Sequence, residues 1–209
     1  MLKRTSVALA LMLFVTDFAS AGADPAAGRL RFSVCGACHG LQGQGNAKLG
    51  SPRIAGLPSW YTARQLHSFS NGMRGGPESD RTSRQMATFA LNLSDVDIAN
   101  LAAYLESLSP SENVREEARD AVAEAARLAA YQQCASCHGP DAEGMEALGA
   151  PPLRGLNAWY FKKQLNDFKS GIRGYDATDT FAASMRAIAQ SIDTEETADA
   201  IAAYLQLRE

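Results

Sequence analysis

Cys35-Gly-Ala-Cys38-His39 and Cys134-Ala-Ser-Cys137-His138 hold every cysteine of this 209-residue chain and two of its three histidines. Two thiols three positions apart, with a histidine directly after the second, suit three kinds of chemistry. A Cys2His2 zinc site would use the same side chains, but its histidines normally stand well away from the cysteine pair. A thioredoxin-like dithiol would need a βαβ setting, and the chain has no strand-rich stretch. Covalent c-type haem requires this order of residues. The thiols add across the two vinyl groups, and the adjacent imidazole turns onto the iron as fifth ligand. Cys35, Cys38, Cys134 and Cys137 therefore read as the thioether anchors of two haems, with His39 and His138 as iron ligands.

The motif recurs because the whole unit recurs. At an offset of 99 positions, Leu49-Gly50 meets Leu148-Gly149, Pro52 meets Pro151, Gly56-Leu57 meets Gly155-Leu156, and Trp60-Tyr61 meets Trp159-Tyr160. Gln65-Leu66, Phe69, Gly72, Arg74 and Gly75 likewise have counterparts, and each half closes on Ala-Ala-Tyr-Leu, at 102–105 and 202–205. A unit of about 90 residues in only two copies predicts two globular domains and not a solenoid. The repeat also selects the sixth ligands. Met73 falls opposite Ile172 and Met145 opposite Asn46, whereas Met86 falls opposite Met185, each 47 residues after its histidine. A thioether is a soft ligand for haem iron, and His/Met ligation raises the potential. A lone methionine is usually a packing residue; this matched pair reads as ligands. His67, opposite Asn166, reads as a surface helix residue.

The elements that must hold these groups read as helices, which makes the fold all-α. Asp24-Pro25 is an N-cap followed by proline at the first helical position, opening a helix that runs into Cys35. Ser109-Pro110-Ser111-Glu112 has the form of a capping box, and an Ala/Glu/Arg-rich run follows it toward Cys134. Phe32 and Tyr131, one turn before the two motifs, are expected to pack against the ends of these helices. Helices over 60–72 and 159–171 are each expected to close on glycine. A capped helix is expected from Ser94 to Leu105, and its twin from Asp193, with apolar stripes that mark a buried face. The last helix of each half is expected to cross the first. The segments between motif and Trp-Tyr helix are Gly/Pro-rich and read as loops wrapped around the cofactor.

The N-terminus sets the compartment. Lys3 and Arg4 precede the apolar run VALALMLFV, and Ala19-Ser20-Ala21 and Ala21-Gly22-Ala23 both suit cleavage. That is a secretory signal peptide; the alternative, a membrane anchor, needs about 20 apolar residues. The expected division is a signal peptide over 1–23 and an N-terminal domain over 24–108. A linker with the start of the next helix covers 109–124, and a C-terminal domain covers 125–209. Residues 24–108 carry eight basic and six acidic groups, net +2, and 109–209 carry ten and sixteen, net −6. This balance excludes nucleic acid as a partner and could steer the two ends toward different proteins. No segment of the mature chain is expected to span a membrane, so any membrane association would come through partners.

These residues resemble the di-haem cytochromes c4, tandem class I cytochrome c domains. The resemblance rests on CGACHG and CASCHG, the loop prolines, the two WY-containing helices, the methionine pair and the AAYL ends, and it covers nearly the whole mature chain. It implies that the carbonyls of Pro52 and Pro151 accept hydrogen bonds from the haem histidines. It also implies that Arg74 and Arg173 could pair with haem propionates, the alternative being solvated helix-end arginines. The two haems would face each other across the domain interface. One departure is Pro-Pro-Leu-Arg in the second half where the first has Pro-Arg-Ile-Ala, which argues against equal potentials.

Iron closed on both faces passes electrons but takes no substrate. The expected function is a periplasmic electron carrier and not an enzyme. The resemblance implies a quinol-oxidising respiratory complex as donor and a terminal oxidase or reductase as acceptor. Two alternatives remain open at this level: the cytochrome subunit of a dehydrogenase, such as a flavin-containing sulfide dehydrogenase, and a di-haem peroxidase with one displaceable ligand.

Overall fold

The computed structural model describes residues 22–109 and 121–206. The expected leader, apart from its last two residues, and the capping box at 109–112, apart from its first, lie outside the described residues. The first half contains α1 (Pro25–His39), α2 (Ser59–Ser70), α3 (Arg81–Ala90) and α4 (Asp95–Ser107). The second contains α5 (Ala121–His138), α6 (Ala158–Ser170), α7 (Thr180–Ala189) and α8 (Glu195–Gln206). Among the described residues the only extended pairings are two isolated bridges, Asn46 with Ser51 and Met145 with Ala150. The architecture is two tandem all-α units. No helix among the described residues is long and apolar enough to cross a membrane.

Helix starts follow local chemistry. The Asp24 carboxylate accepts from the Ala26 amide at 2.8 Å and Pro25 opens α1, as expected. Ser94 and Asp97 form a reciprocal capping box at α4, satisfying amides that helical bonding leaves without partners. The α8 start corrects the expectation of an Asp193 cap: the Thr194 hydroxyl accepts from the Thr197 amide instead. One residue has been inserted here, which moves the capping position to the residue that matches Ser94 at an offset of 100. Helix α2 ends at Ser70 with Asn71 as its cap, and Gly72 closes it one residue later in the left-handed region, its amide bonding the Phe69 carbonyl at 3.3 Å; α6 closes on Gly171 directly. Helices α3 and α7, which carry Met86 and Met185, are additions to the elements expected from the sequence. Their signal is Asp80 and Asp179, each an N-cap.

In each half the last helix crosses the first. At the α1–α4 crossing a methyl group on Gly28 would lie 2.0 Å from the Asn100 carbonyl oxygen, so glycine permits the approach. Phe32 meets Tyr104 at 5.4 Å and Tyr131 stacks on Tyr204 at 4.5 Å, as expected of the residues one turn before each motif. The tyrosine pair also donates to the Gly139 and Pro140 carbonyls, just beyond His138. The loops are tied to the same seam, through Gly56 N–H to the Leu105 carbonyl and Gly155 N–H to that of Leu205.

The two halves meet through buried polar groups. Arg74 donates to Gln65 of its own half at 2.6 Å and, across the boundary, to Tyr160 at 2.8 Å and Gln164 at 2.9 Å. Arg173 answers with Gln164 at 2.5 Å, Gln65 at 2.9 Å and Tyr61 at 3.4 Å. Each guanidinium also lies over a phenylalanine of its own half, Phe69 or Phe168. Arg74 is only 8% exposed, so it is not a solvated helix-end residue. Burial of a charge is tolerated when every face is met by acceptors and π-density.

The buried core of the first half is small, centred on Phe32, Leu101 and Leu105, while that of the second contains Tyr131, Phe161, Leu165, Phe168, Ile192, Ile201, Tyr204 and Leu205. Chains that bury little apolar surface do not offset the entropy of ordering. Replacing all four cysteines by alanine, which prevents cofactor attachment, is therefore expected to abolish most of the helical far-UV circular dichroism; a helix-rich spectrum would contradict this. In the holoprotein, Arg74→Ala takes from Tyr160 its bond across the boundary and leaves Gln65 and Gln164 with Arg173 alone at their carbonyl oxygens, and is expected to cost about 1–3 kcal/mol in denaturant unfolding. Arg74→Lys should restore only part, because an ammonium cannot reach the same fork of acceptors.

Candidate haem sites

Each site begins where its first helix ends. Helix α1 carries Cys35, Cys38 and His39 on its last turn and a half, and α5 carries Cys134, Cys137 and His138. Beyond each histidine the chain reverses through a glycine turn. The Gly45 amide bonds the His39 carbonyl at 2.7 Å and the Gly144 amide that of His138 at 2.8 Å. Both glycines have φ near +85°, at +89° and +84°. A methyl group on either would run into the returning backbone at 51–53 or 150–152. A short 3-10 turn over Ala47–Leu49 or Glu146–Leu148 completes the reversal.

The turn delivers a carbonyl to each imidazole. His39 Nδ1 lies 2.8 Å from the Pro52 oxygen and His138 Nδ1 lies 2.7 Å from that of Pro151. A carbonyl only accepts, so Nδ1 must hold the proton and Nε2 keeps its lone pair for a metal. Both rings are buried, and burial lowers their pKa below the usual histidine value, against the opposing pull of the carbonyl. The neutral imidazole is the metal-binding form.

The cysteines differ from a redox dithiol. Burial raises the Cys35 thiol pKa and pushes that of Cys134 up to about 11, the second with help from Cys137. Reactive Cys-x-x-Cys motifs show the opposite shift.

One cavity of about 980 Å³ is lined from both halves. Cys35, Cys38, His39 and Met86 border it from the first half, and Cys137, His138 and Met185 from the second. Cys134 borders a small adjoining space with His138 and Met185. All of the thiols, imidazoles and thioethers singled out in the sequence except Cys134 thus line the one large cavity, and Cys134 lines the small space that shares Cys137, His138 and Met185 with it. Pro52, Pro151, Arg74 and Arg173 also line it. His67 does not. It lies on the outer face of α2, 3.9 Å from Asp95.

The wall has the chemistry of a porphyrin pocket. Its apolar part includes Leu57, Phe69, Leu101 and Leu105 in the first half, and Leu153, Phe161, Leu165 and Ile188 in the second. The Thr62 hydroxyl on this wall is buried without a hydrogen-bond partner among the described residues. A large apolar ring with carboxylate edges would supply both the missing apolar burial and an acceptor for such a hydroxyl.

Sequence reasoning passed over several groups that frame the cavity. Tyr61, Tyr160, Gln65 and Gln164 were visible as matched repeat positions, but nothing in one sequence shows that they bond across the boundary. The Pro-Arg versus Pro-Pro difference acquires a cause here. The Arg53 amide donates to Asn157 Oδ1 of the other half at 2.8 Å, and Pro152, at the equivalent position, has no N–H to return the bond.

A family model described as cytochrome c matches residues 25–109 and again 122–208. Cytochrome c4 of Azotobacter vinelandii is 35% identical over 98% of this chain and 99% of its own length. A thiosulfate dehydrogenase electron acceptor of Stutzerimonas stutzeri is 34% identical over 90% of this chain and 82% of its own. The crystal structure of reduced recombinant cytochrome c4 from Pseudomonas stutzeri superposes with a TM-score of 0.71, covering 90% of this chain and all of that one at 29% identity. With two cysteine pairs opening on one cavity and this likeness along nearly its whole length, the chain belongs to the cytochrome c family, as a di-haem electron-transfer cytochrome of the c4 type with one haem c on each pair.

Proposed function

We propose that the chain is a periplasmic carrier that takes electrons from a quinol-oxidising respiratory complex and delivers them to a terminal oxidase or reductase, with no substrate chemistry of its own. Haem c, when bound, supplies a one-electron iron couple. The chain's residues govern how that couple behaves. Cys35 and Cys38, and Cys134 and Cys137, tether it. His39 and His138 present Nε2 lone pairs held in orientation by the Pro52 and Pro151 carbonyls. Such a bond also makes the imidazole a stronger donor. Met86 and Met185 supply soft thioethers from α3 and α7, which favours the reduced state and closes the metal to small molecules. Arg74 and Arg173, lining the same cavity, are the residues suited to haem carboxylates.

The observation that carries this reading is the duplication of the donor set, thiols, imidazole and thioether, around one large cavity and the small space beside it that Cys134 lines. A peroxidase would need one site without a matched sixth ligand. A second reading, the electron-accepting subunit of a dehydrogenase, has the 34% identity to a thiosulfate dehydrogenase electron acceptor in its favour. Export to the periplasm is supported by the basic and apolar pattern of residues 1–23, and a linker over 109–124 between domains 24–108 and 125–209 by the repeat.

A redox titration of the purified protein is expected to count two haems per chain, with the near-infrared methionine–iron band at full strength for both. The reduced protein should not bind carbon monoxide, whereas Met86→Ala should bind one equivalent per chain. Ready binding by the unaltered protein would favour the peroxidase. Electron-transfer rates with a charged partner protein are expected to fall as ionic strength rises, given net charges of +2 and −6 on the two halves. Rates insensitive to salt would remove steering. Purification as a free monomer counts against the subunit reading.

A further inference from the structure

Each half sends a cation from its second helix to the start of the other half's methionine helix, and the two arrangements differ. Lys163 on α6 places Nζ 2.8 Å from Asp80 Oδ2 and 2.6 Å from Asp167 Oδ2. Asp80 is the N-cap of α3. Its Oδ1 accepts from the Thr82 and Ser83 amides at 2.9 and 3.1 Å and from the Thr82 hydroxyl, and its Oδ2 accepts from the Ser83 hydroxyl at 2.6 Å. One carboxylate therefore ties the first turn of the Met86 helix to the opposite half. Although partial burial opposes ionisation, the bonds from Lys163, Ser83 and Thr82 hold the Asp80 pKa well below the usual range.

The mirror position is built otherwise. Arg64, the counterpart of Lys163, bonds the Gly149 carbonyl at 2.6 Å and lies 4.7 Å over Phe181, the second residue of α7. Asp179, the counterpart of Asp80, caps α7 through the Ala182 amide at 3.0 Å. Phe181 takes the place of Thr82, so stacking on an aromatic ring replaces a direct ion pair.

The geometry points to Lys163 as a positioning residue for the first site: through Asp80 it holds α3 so that Met86 keeps its thioether on the metal, an ionic clamp from the other domain. The inference rests on Met86 being the sixth ligand. It makes retention of that ligand depend on docking between the halves, whereas the methionine helix of the second site meets the first half through a different force, Arg64 stacked on Phe181. A half-buried pair, with side chains 27% and 29% exposed, is suited to this because loss of either partner leaves a charge poorly solvated.

Exogenous imidazole competes with a methionine ligand at a rate set by how often the methionine helix opens. In a Met185→His background the near-infrared band reports Met86 alone. There, Lys163→Met is expected to speed imidazole-induced loss of the band roughly fivefold, the upper scale of a partly exposed ion pair, and Lys163→Arg should restore most of the original rate. In the mirror background, Met86→His, Lys163→Met should leave the rate of loss at Met185 unchanged. A rate unaltered by Lys163→Met in the first background overturns the clamp, and so does an equal rise in both, which would mean general loosening. Lys163→Gln, which removes the charge with less change of polarity, is held to the same outcomes if the methionine variant does not fold. Absence of the band in the Met185→His protein before any imidazole is added would instead overturn the ligation of Met86 itself.

Discussion

An imidazole offers a lone pair to a metal from one nitrogen only while the other keeps its proton, and here a proline carbonyl thirteen residues downstream decides which. The 2.7–2.8 Å bonds from His39 and His138 Nδ1 to Pro52 and Pro151 require the chain to leave the helix, reverse and return within a dozen residues. That demand explains the glycines with positive φ at 45 and 144, the amide bond back to the histidine carbonyl, and the single bridge that closes each loop. It explains the far end as well. A loop delivering a ligand-orienting carbonyl must itself be anchored, and Gly56 and Gly155 tie it to the terminal leucine of each Ala-Ala-Tyr-Leu segment. The terminal helix is fixed in turn by crossing the helix that carries the thiols. The elements of each half thus form a closed circuit around the metal position.

The second constraint acts between the circuits. Two arginines share two glutamines, each bonding one from its own half and one from the other. A guanidinium with its fork of donors can join acceptors on two helices at once, which an ammonium on a flexible stem does less well. Because these groups line the cavity from both sides, the surface that joins the halves is also a wall of both sites. A change at the seam therefore reaches the cofactor environment without passing through either ligand helix.

Much of this was legible in one sequence because duplication supplies an internal comparison. Met86 could be separated from Met73 and Met145 only because Met185 stands at the same offset. Asp24 and Ser94 announced their helices because capping is local chemistry between residues two or three apart. What was not legible shares one property: it depends on residues distant in the chain. Gln164 reads as an ordinary helix position until Arg74 is seen beside it, 90 residues away. Nothing in the sequence marks Lys163 until Asp80, 83 residues away, is seen beside it. The α8 cap was misplaced for a different reason. An insertion of one residue moved the register to Thr194, and Asp193, an equally good cap by type, stood next to it. Helices α3 and α7 do space their apolar residues helically, but each is only ten residues long, too short a run to stand out beside the loops that flank it.

Duplication makes sameness the default, so the departures from it carry information. The first site has a buried threonine hydroxyl at position 62 where the second has Phe161 on its wall. The first loop donates an amide across the seam from Arg53, and Pro152 cannot. The first methionine helix is held by an ion pair and the second by an arginine over a ring. Hydrogen bonding around the site and burial are the protein's levers on a haem potential when the ligands are equal. If His39 with Met86 and His138 with Met185 form one ligand set, as proposed, the two sites differ through these surroundings. An electron shared between identical sites has no preferred residence, whereas inequivalent sites bias it toward one half.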